Sequence, residues 1–410
     1  MGILSIQNIE EGLRNILRNG GEDAVPEMID TLLSSVLAVG ATDLHLECFR
    51  NEITCKVRLD GMLHTVARLS KEFQDNIIAR LKIMSRVASF KTRQPQDGRI
   101  EFTTFEKNPV LLRASFLPTL FGEKVVIRIP DPSHAQFDIE MLGMDENTLQ
   151  RVMHIIRALQ GTLLLTGPSS SGKTTTIYAL LKYLHRHFPE RINVMTIEEP
   201  IETALDGINQ TQLDVAGGLD YSDALKAMLR QDPNVLVVGE IRDHDTAHIC
   251  IEAGLTGHLV ISTIHSGDAV GVVNRLLNMG IEPFLVASSL SGVIAQRLVR
   301  MVCPACAKPR NASSSEKSLL GVPADTPMTV MEGGGCPECK NSGYKGRTGL
   351  FELLHFNDAV RDLIMHKPST ETLRCCAIEM GMKTIQMDAL DKIQQGITTP
   401  SEVMHLFITH

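Results

Sequence analysis

The eight residues GPSSSGKT, Gly167 to Thr174, stand between an apolar run, TLLLT, and a helix-forming run, TTTIYALL. The pattern G-x-x-x-x-G-K-[ST] in that setting is a phosphate-binding loop. Its glycines let backbone N–H groups close round an anion, the following helix N-terminus adds its positive end, the lysine reaches the β- and γ-phosphates, and the hydroxyl can hold Mg2+. The nucleotide-binding set is therefore Gly167, Pro168, Ser169, Ser170, Ser171, Gly172, Lys173, Thr174 and Thr175, with Thr174 as magnesium ligand. In a parallel sheet, ligands bind beyond the carboxyl ends of the strands. Glu198 and Glu199 follow INVMTI, Glu240 follows NVLVVG, and His265 follows HLVISTI, so all stand on the edge that carries the loop. Glu240 is the candidate to orient and polarise an attacking water, and His265 can sense the γ-phosphate by hydrogen bonding. His258, at the far end of His265's strand, lies roughly 23 Å away by strand rise. It reads either as a packing histidine or as an interface residue.

A second cluster is formed by Cys303-x-x-Cys306 and Cys336-x-x-Cys339, the knuckles CPAC and CPEC separated by a polar loop. Paired thiolates at this spacing suit a tetrahedral zinc site, and a closed four-sulfur shell leaves no position for catalysis, so the metal would be structural. Cys48, Cys55, Cys250, Cys375 and Cys376 read as buried apolar residues. Nine cysteines, an odd number in a chain of 410 residues, do not suggest a disulfide framework.

These groups need elements to position them. Residues 1–22 read as a tail or a remnant helix ending in Asn19-Gly20-Gly21. From residue 23 to about 130, helical spacing in VPEMIDTLLSSVLAV and alternation in ITCKVRLDGMLHTVARL, LLRASFLPTL and EKVVIRI predict a small α+β domain. PDPSHAQ breaks the pattern, and 131–138 reads as a linker. Residues 139–410 alternate helices and buried strands, which predicts a parallel sheet covered on both faces, with a cysteine-bearing insertion at 301–350 and short helices from 357 to 410. No apolar run reaches the ~20 residues needed to span a bilayer, and Glu10 and Glu11 stand where a signal peptide would be apolar. The chain is expected in the cytoplasm. A formal charge of −8, an aromatic content of 4% and the absence of Trp argue against a nucleic-acid channel, so no nucleic acid is expected as partner.

GPSSSGKTTT, VMTIEEPIE, LRQDPNVLVVGEIRD and TGHLVISTIHSGD, in this order, resemble the secretion ATPases of type II secretion and type IV pilus systems, in particular the GspE/PilB assembly class. The resemblance extends to ATDLHLE, RLDGML and RQPQDGR upstream and to AQRLVRMVCPAC, GYKGRTGLFELL and GITTPSEV downstream. It implies a RecA-like P-loop ATPase domain preceded by a PAS-like domain, a homohexamer using ATP, Mg2+ and Zn2+, and work on a GspF/PilC-like platform protein at the inner membrane, where the motor would be peripheral. The matching motifs make 167–174 the Walker A, 194–202 the acidic box, 235–240 the Walker B and 256–265 the histidine box, which counts His258 as a motif residue. The acidic box normally reads Glu-Asp-Pro; here Glu199 stands in place of Asp. Full-length type II members carry a further N-terminal domain for a membrane-anchored GspL-like partner, and only residues 1–22 stand in that place, which speaks against recruitment by that route.

Arg113 and Arg128 lie inside apolar, strand-like runs, where a guanidinium is expensive without an anionic partner. That partner could be a carboxylate at the domain edge or a phosphate. The resemblance implies the phosphate, met when the two domains close. Rival readings are a pilus retraction ATPase, disfavoured because that class generally lacks the cysteine insertion, a nucleic-acid translocase on the same core, and a regulatory nucleotide-binding module, opposed by Lys173, Glu240 and His265.

Overall fold

The computed structural model describes residues 9–19, 24–59, 61–103, 109–129, 138–213 and 218–408. The chain divides into two compact units, Met1–Pro132 and Ser133–His410. The linker expected over 131–138 lies, except for Asp138, outside the described residues, as do residues 1–8 and 20–22 of the expected tail and Asp60 of the Asp-Gly turn.

The first unit contains α1 (Ile9–Asn19), α2 (Ala24–Ala38), β1 (Asp43–Cys48), β2 (Glu52–Leu59), β3 (Met62–Ser70), α3 (Gln74–Met84), β4 (Gln96–Thr103), β5 (Pro109–Thr119) and β6 (Gly122–Arg128). The strands form one antiparallel sheet in the order β3-β2-β1-β6-β5-β4. Alternation sorts its faces. Leu44, Leu46, Ile53, Val57, Leu112, Phe116, Val125 and Ile127 join the helices in one apolar core, while Asp43, Glu47, Lys56, Arg58, Lys124 and Arg128 line the opposite face. The segment read as a tail or a remnant helix is helical over Ile9–Asn19 and contributes to that core. In α1, Ile9, Leu13 and Leu17 recur every fourth residue and are buried. Each such side chain stabilises by about 1.5–3 kcal/mol when fully covered. The signal was weak because only one stripe of α1 is apolar.

The second unit contains α4 (Glu146–Arg157), β7 (Gly161–Thr166), α5 (Lys173–His187), β8 (Val194–Glu198), β9 (Asn209–Gln212), α6 (Tyr221–Met228), β10 (Val235–Val238), α7 (His244–Leu255), β11 (Leu259–Thr263), α8 (Ala269–Asn278), α9 (Pro283–Ser289), β12 (Leu290–Val302), β13 (Ala307–Asn311), α10 (Ser314–Leu319), β14 (Thr329–Gly333), β15 (Tyr344–His355), α11 (Asp358–Met365), α12 (Thr370–Glu379), α13 (Ile385–Gln394) and α14 (Pro400–Ile408). Its seven-stranded sheet has the order β15-β12-β7-β11-β10-β8-β9. Strands β12 to β9 run parallel, so their carboxyl ends share one edge. Two separate apolar clusters cover the faces: Leu163, Val237 and Ile261 point to α4 and α5, and Leu164, Leu236 and Val260 to α6, α7 and α8.

Two features differ from the sequence reading. β12 is a 13-residue strand continuing past Arg300, and β15 pairs with it antiparallel, from Gly292 opposite His355 to Val302 opposite Tyr344. The sheet is therefore parallel with one antiparallel edge, and the segment read as an insertion over 301–350 supplies the start of β15. Arg297, Arg300 and Arg347 interrupt the apolar runs of these strands, which hid them from a periodicity reading.

Candidate functional site

All six residues of β7 are buried, and the strand ends at Thr166, directly before the loop. The Thr166 hydroxyl donates to Ser266 O at 3.0 Å and accepts from Ser266 N at 2.9 Å, which ties the phosphate loop to the segment after β11. Within the loop, Gly172 has φ +88° and caps α5; a Cβ there would lie 2.8 Å from Gln296 Nε2, so only glycine fits. The Lys173 ammonium donates to Gly167 O and Pro168 O, each at 2.9 Å, and is curled over the loop's own carbonyls. Burial lowers its pKa, and Arg297 adds to that, with Glu240 opposing. Arg297 is held by Nη1 to Gln296 O at 2.9 Å and Nη2 to Gly267 O at 2.6 Å. Ser171 Oγ is buried with no hydrogen-bond partner. Two partly desolvated cations and an orphaned hydroxyl at a helix start are what a polyphosphate would satisfy. Thr174, half-buried at the second position of α5, could hold a magnesium ion, which would neutralise phosphate charge.

The strand-end acids separate into two groups. Glu198 is buried and accepts from Tyr178 Oη at 2.5 Å, Thr196 Oγ1 at 2.6 Å and Gln210 Nε2 at 3.0 Å. Tyr178 Oη also accepts from Glu202 N at 3.3 Å, so this carboxylate fastens α5 and β9 to the loop after β8. Glu199 and Glu240 instead converge on Arg242, whose Nη2 lies 3.3 Å from Glu199 Oε2 and also donates to Glu240 Oε1. His265 Nε2 stands 3.5 Å from Glu240 Oε2. Burial, with the Glu199 and Glu240 carboxylates, pushes the Tyr221 phenol up to about 12. Glu240, held between a guanidinium and an imidazole on the phosphate edge, can orient a water. Replacing Tyr178 by Phe leaves the buried Glu198 one donor short, and we expect a loss of about 1–3 kcal/mol in stability. Urea denaturation measures it; an unchanged midpoint would show that the bond is not made in solution.

The tetracysteine cluster is assembled by the turn after β12 and the turn before β15. Sulfur separations are 3.8 Å for Cys303 to Cys336, 3.8 Å for Cys306 to Cys339 and 3.7 Å for Cys336 to Cys339, and all four lie within 4.8 Å of one another. A tetrahedron with metal–sulfur bonds of ~2.3 Å has edges of ~3.8 Å, so the donor set fits. Burial resists the Cys339 thiolate, but N–H donors from Cys336 and Gly343 outweigh it and bring the thiol down to about 6. Gly343 lies against Gly333, where a Cβ would meet Gly343 O at 2.0 Å. Of the other cysteines, Cys48, Cys55 and Cys250 are buried, whereas Cys375 is exposed and Cys376 half-buried, contrary to expectation.

The family model described as type II/IV secretion system protein matches residues 18–405. The chain belongs to that family. It is 42% identical over 387 residues to the type II secretion system protein E of Pseudomonas aeruginosa, covering 94% of this chain and 76% of the relative. It is 40% identical over 403 residues to the type IV pilus assembly ATPase PilB of Myxococcus xanthus, covering 97% of this chain and 70% of the relative. Among solved structures, the pilus retraction motor PilT with bound ADP aligns at TM-score 0.64 and 23% identity over 92% of this chain and 96% of that one, a likeness of fold.

Sequence reading of this secretion-family chain missed two site residues. Arg242 and Arg297 lay in the quoted motifs GEIRD and AQRLVR, but nothing in spacing alone said that one bridges two carboxylates and the other flanks Lys173. His258 is at the opposite sheet edge, with Nδ1 3.1 Å from Ala253 O and 3.3 Å from Thr256 Oγ1, covering a carbonyl at the end of α7. In the first unit, Arg128 pairs across strands with Arg113 and with Asp43, whose Oδ1 is 3.3 Å from Arg128 Nε. The expectation that these arginines are held expensively inside apolar runs is corrected: the Arg128 side chain is 65% exposed, because alternation sends Ile127 and Ala114 into the core and the arginines to the polar face. A cavity of about 500 Å³, bordered by Asn193, Asn209 and Gln231, opens at the amino ends of β8 and β9, remote from this edge, and carries no charged group. Among the described residues, no helix is long and apolar enough to cross a membrane.

Proposed function

We propose that this chain is the ATP-hydrolysing motor of a type II secretion pseudopilus or type IV pilus assembly machine. The observation that carries this is Glu240, fixed between Arg242 and His265 on the same sheet edge as the Lys173 loop. In this reading the second unit is RecA-like and the first PAS-like. Lys173 and residues Gly167 to Thr175 hold the triphosphate, Thr174 holds Mg2+, Glu240 orients water, Glu199 and His265 tune it, and Arg113 and Arg128 donate to the γ-phosphate. The motor works as a homohexamer, peripheral at the cytoplasmic side of the inner membrane, on a GspF/PilC-like platform protein. Its relatives named for secretion and pilus assembly support that direction of work. The test is Mg2+-dependent ATPase activity of the purified chain with and without single-stranded DNA. Hydrolysis without DNA stimulation is expected; strong stimulation would turn the reading to a translocase.

The four cysteines hold one structural zinc. Metal analysis is expected to give about one zinc per chain, and chelation to open residues 301–350 to protease while ATP binding persists. A zinc-free protein equally resistant in that segment would remove the metal from the reading.

A further inference from the structure

His265 is 57% exposed in its side chain, so packing does not fix the ring. Its position depends on the backbone between β11 and α8, residues 264–268. That segment is pinned by two groups of the sheet: Thr166, bonded to Ser266 through both N and O, and Arg297, bonded to Gly267 O. A third pin comes from far along the chain. Arg374, on α12, donates from Nη2 to Asp268 Oδ2 at 2.7 Å. The other Asp268 oxygen caps α8 through Gly271 N at 2.7 Å. The pair is largely shielded, with side-chain exposures of 27% and 18%, and the bond to Asp268 raises the Arg374 pKa. Asn274 Nδ2 to Thr370 Oγ1, at 2.6 Å, fastens the same two helices one step away. The next residue, Ala269, donates its N–H to the buried Glu352, which also accepts from Ile385 N at the start of α13. The histidine loop is thus fastened on one side to the phosphate loop and on the other to C-terminal helices that contribute no group to the chemistry.

We propose that Arg374 is a positioning residue for His265, acting through Asp268. This rests on the reading of the unit as an ATPase. A chain of contacts is not by itself evidence of coupling, so the test must measure coupling. Asp268 is three residues from His265, and an ångström of loop displacement at that range is enough to spoil a catalytic contact. In the full chain, Arg374→Ala should lower kcat by about tenfold and leave KM for ATP within about twofold. Arg374→Lys should recover most of the loss, because one donor to one oxygen suffices. Asp268→Asn keeps the helix cap but loses the charge pair, and should match Arg374→Ala; it also carries the test if Arg374→Ala does not fold.

The deciding measurement is the double-mutant cycle with His265→Ala, read in single turnover. If Arg374 acts through His265, its substitution costs less than about twofold in that background. An equal loss in both backgrounds, or wild-type turnover in Arg374→Ala, overturns the inference while leaving the ATPase reading intact. A wild-type chain without ATPase activity would overturn both.

Discussion

Glu240→Gln is expected to bind ATP normally and to lose turnover by at least about a hundredfold, in line with the contribution of a positioned general base. The amide has the shape of the carboxylate and still offers an oxygen to Arg242, so the segment from Gly239 to Arg242 keeps its anchor. Lys173 and the loop carbonyls it contacts are untouched. What disappears is the negative charge facing His265 and the ability to draw a proton from water. Binding and chemistry therefore separate in this variant, and they do not in Lys173→Ala, where the cation for the phosphates is gone and ATP affinity falls too. Nucleotide titration beside steady-state ATPase measurement distinguishes the two. Near-normal turnover in Glu240→Gln would falsify its role and shift attention to Glu199, the other carboxylate on Arg242.

The parts of this protein that were legible in its sequence are those whose chemistry is local. Residues Gly167 to Thr174 announce a phosphate loop because eight consecutive positions and their flanks carry the whole geometry. Each cysteine pair is a two-residue gap, and bringing two such pairs together needs only that the chain return, as it does through β13 and β14. The strand-end rule found Glu199, Glu240 and His265 because parallel strands place their carboxyl ends on one edge whatever their order. Groups that depend on which strand neighbours which were not legible. Arg297 meets the loop because β12 lies beside β7, and Arg374 meets Asp268 because α12 packs on α8; 106 residues separate that pair. Arg128 was misjudged for a related reason. An apolar run around an arginine says that a strand is half-buried, and only the face assignment says which half the arginine belongs to.

That face assignment also gives the arginines their expected behaviour. Arg58, Asp43, Arg128, Arg113 and Arg99 occupy successive cross-strand positions on β2, β1, β6, β5 and β4. Cross-strand neighbours project from the same face, and like charges directly opposite one another are destabilising. Arg58 and Arg128 share the Asp43 carboxylate, at 3.5 Å and 3.3 Å, and the row to which they belong presents several guanidiniums on one face, a surface that suits an anion of high charge density. Arg128→Ala should cost little in folding, about 0–1 kcal/mol: its own side chain is mostly exposed, and the buried Asp43 carboxylate keeps Arg58 at 3.5 Å and the Thr42 hydroxyl at 2.9 Å. Turnover is a different matter. An arginine that stabilises charge developing on a transferring phosphoryl group contributes about 10³–10⁵ in rate. We expect Arg113→Ala and Arg128→Ala to bind ATP and to lose turnover by about a hundredfold or more. Lysine at either position should rescue little, because a single ammonium cannot make the forked contact of a guanidinium. Thermal melting, nucleotide affinity and steady-state ATPase for the four variants settle the matter. If all four hydrolyse ATP at the wild-type rate, the row serves some other anion, and the transition-state charge falls to Lys173 and Arg297, the two cations already gathered at the phosphate loop.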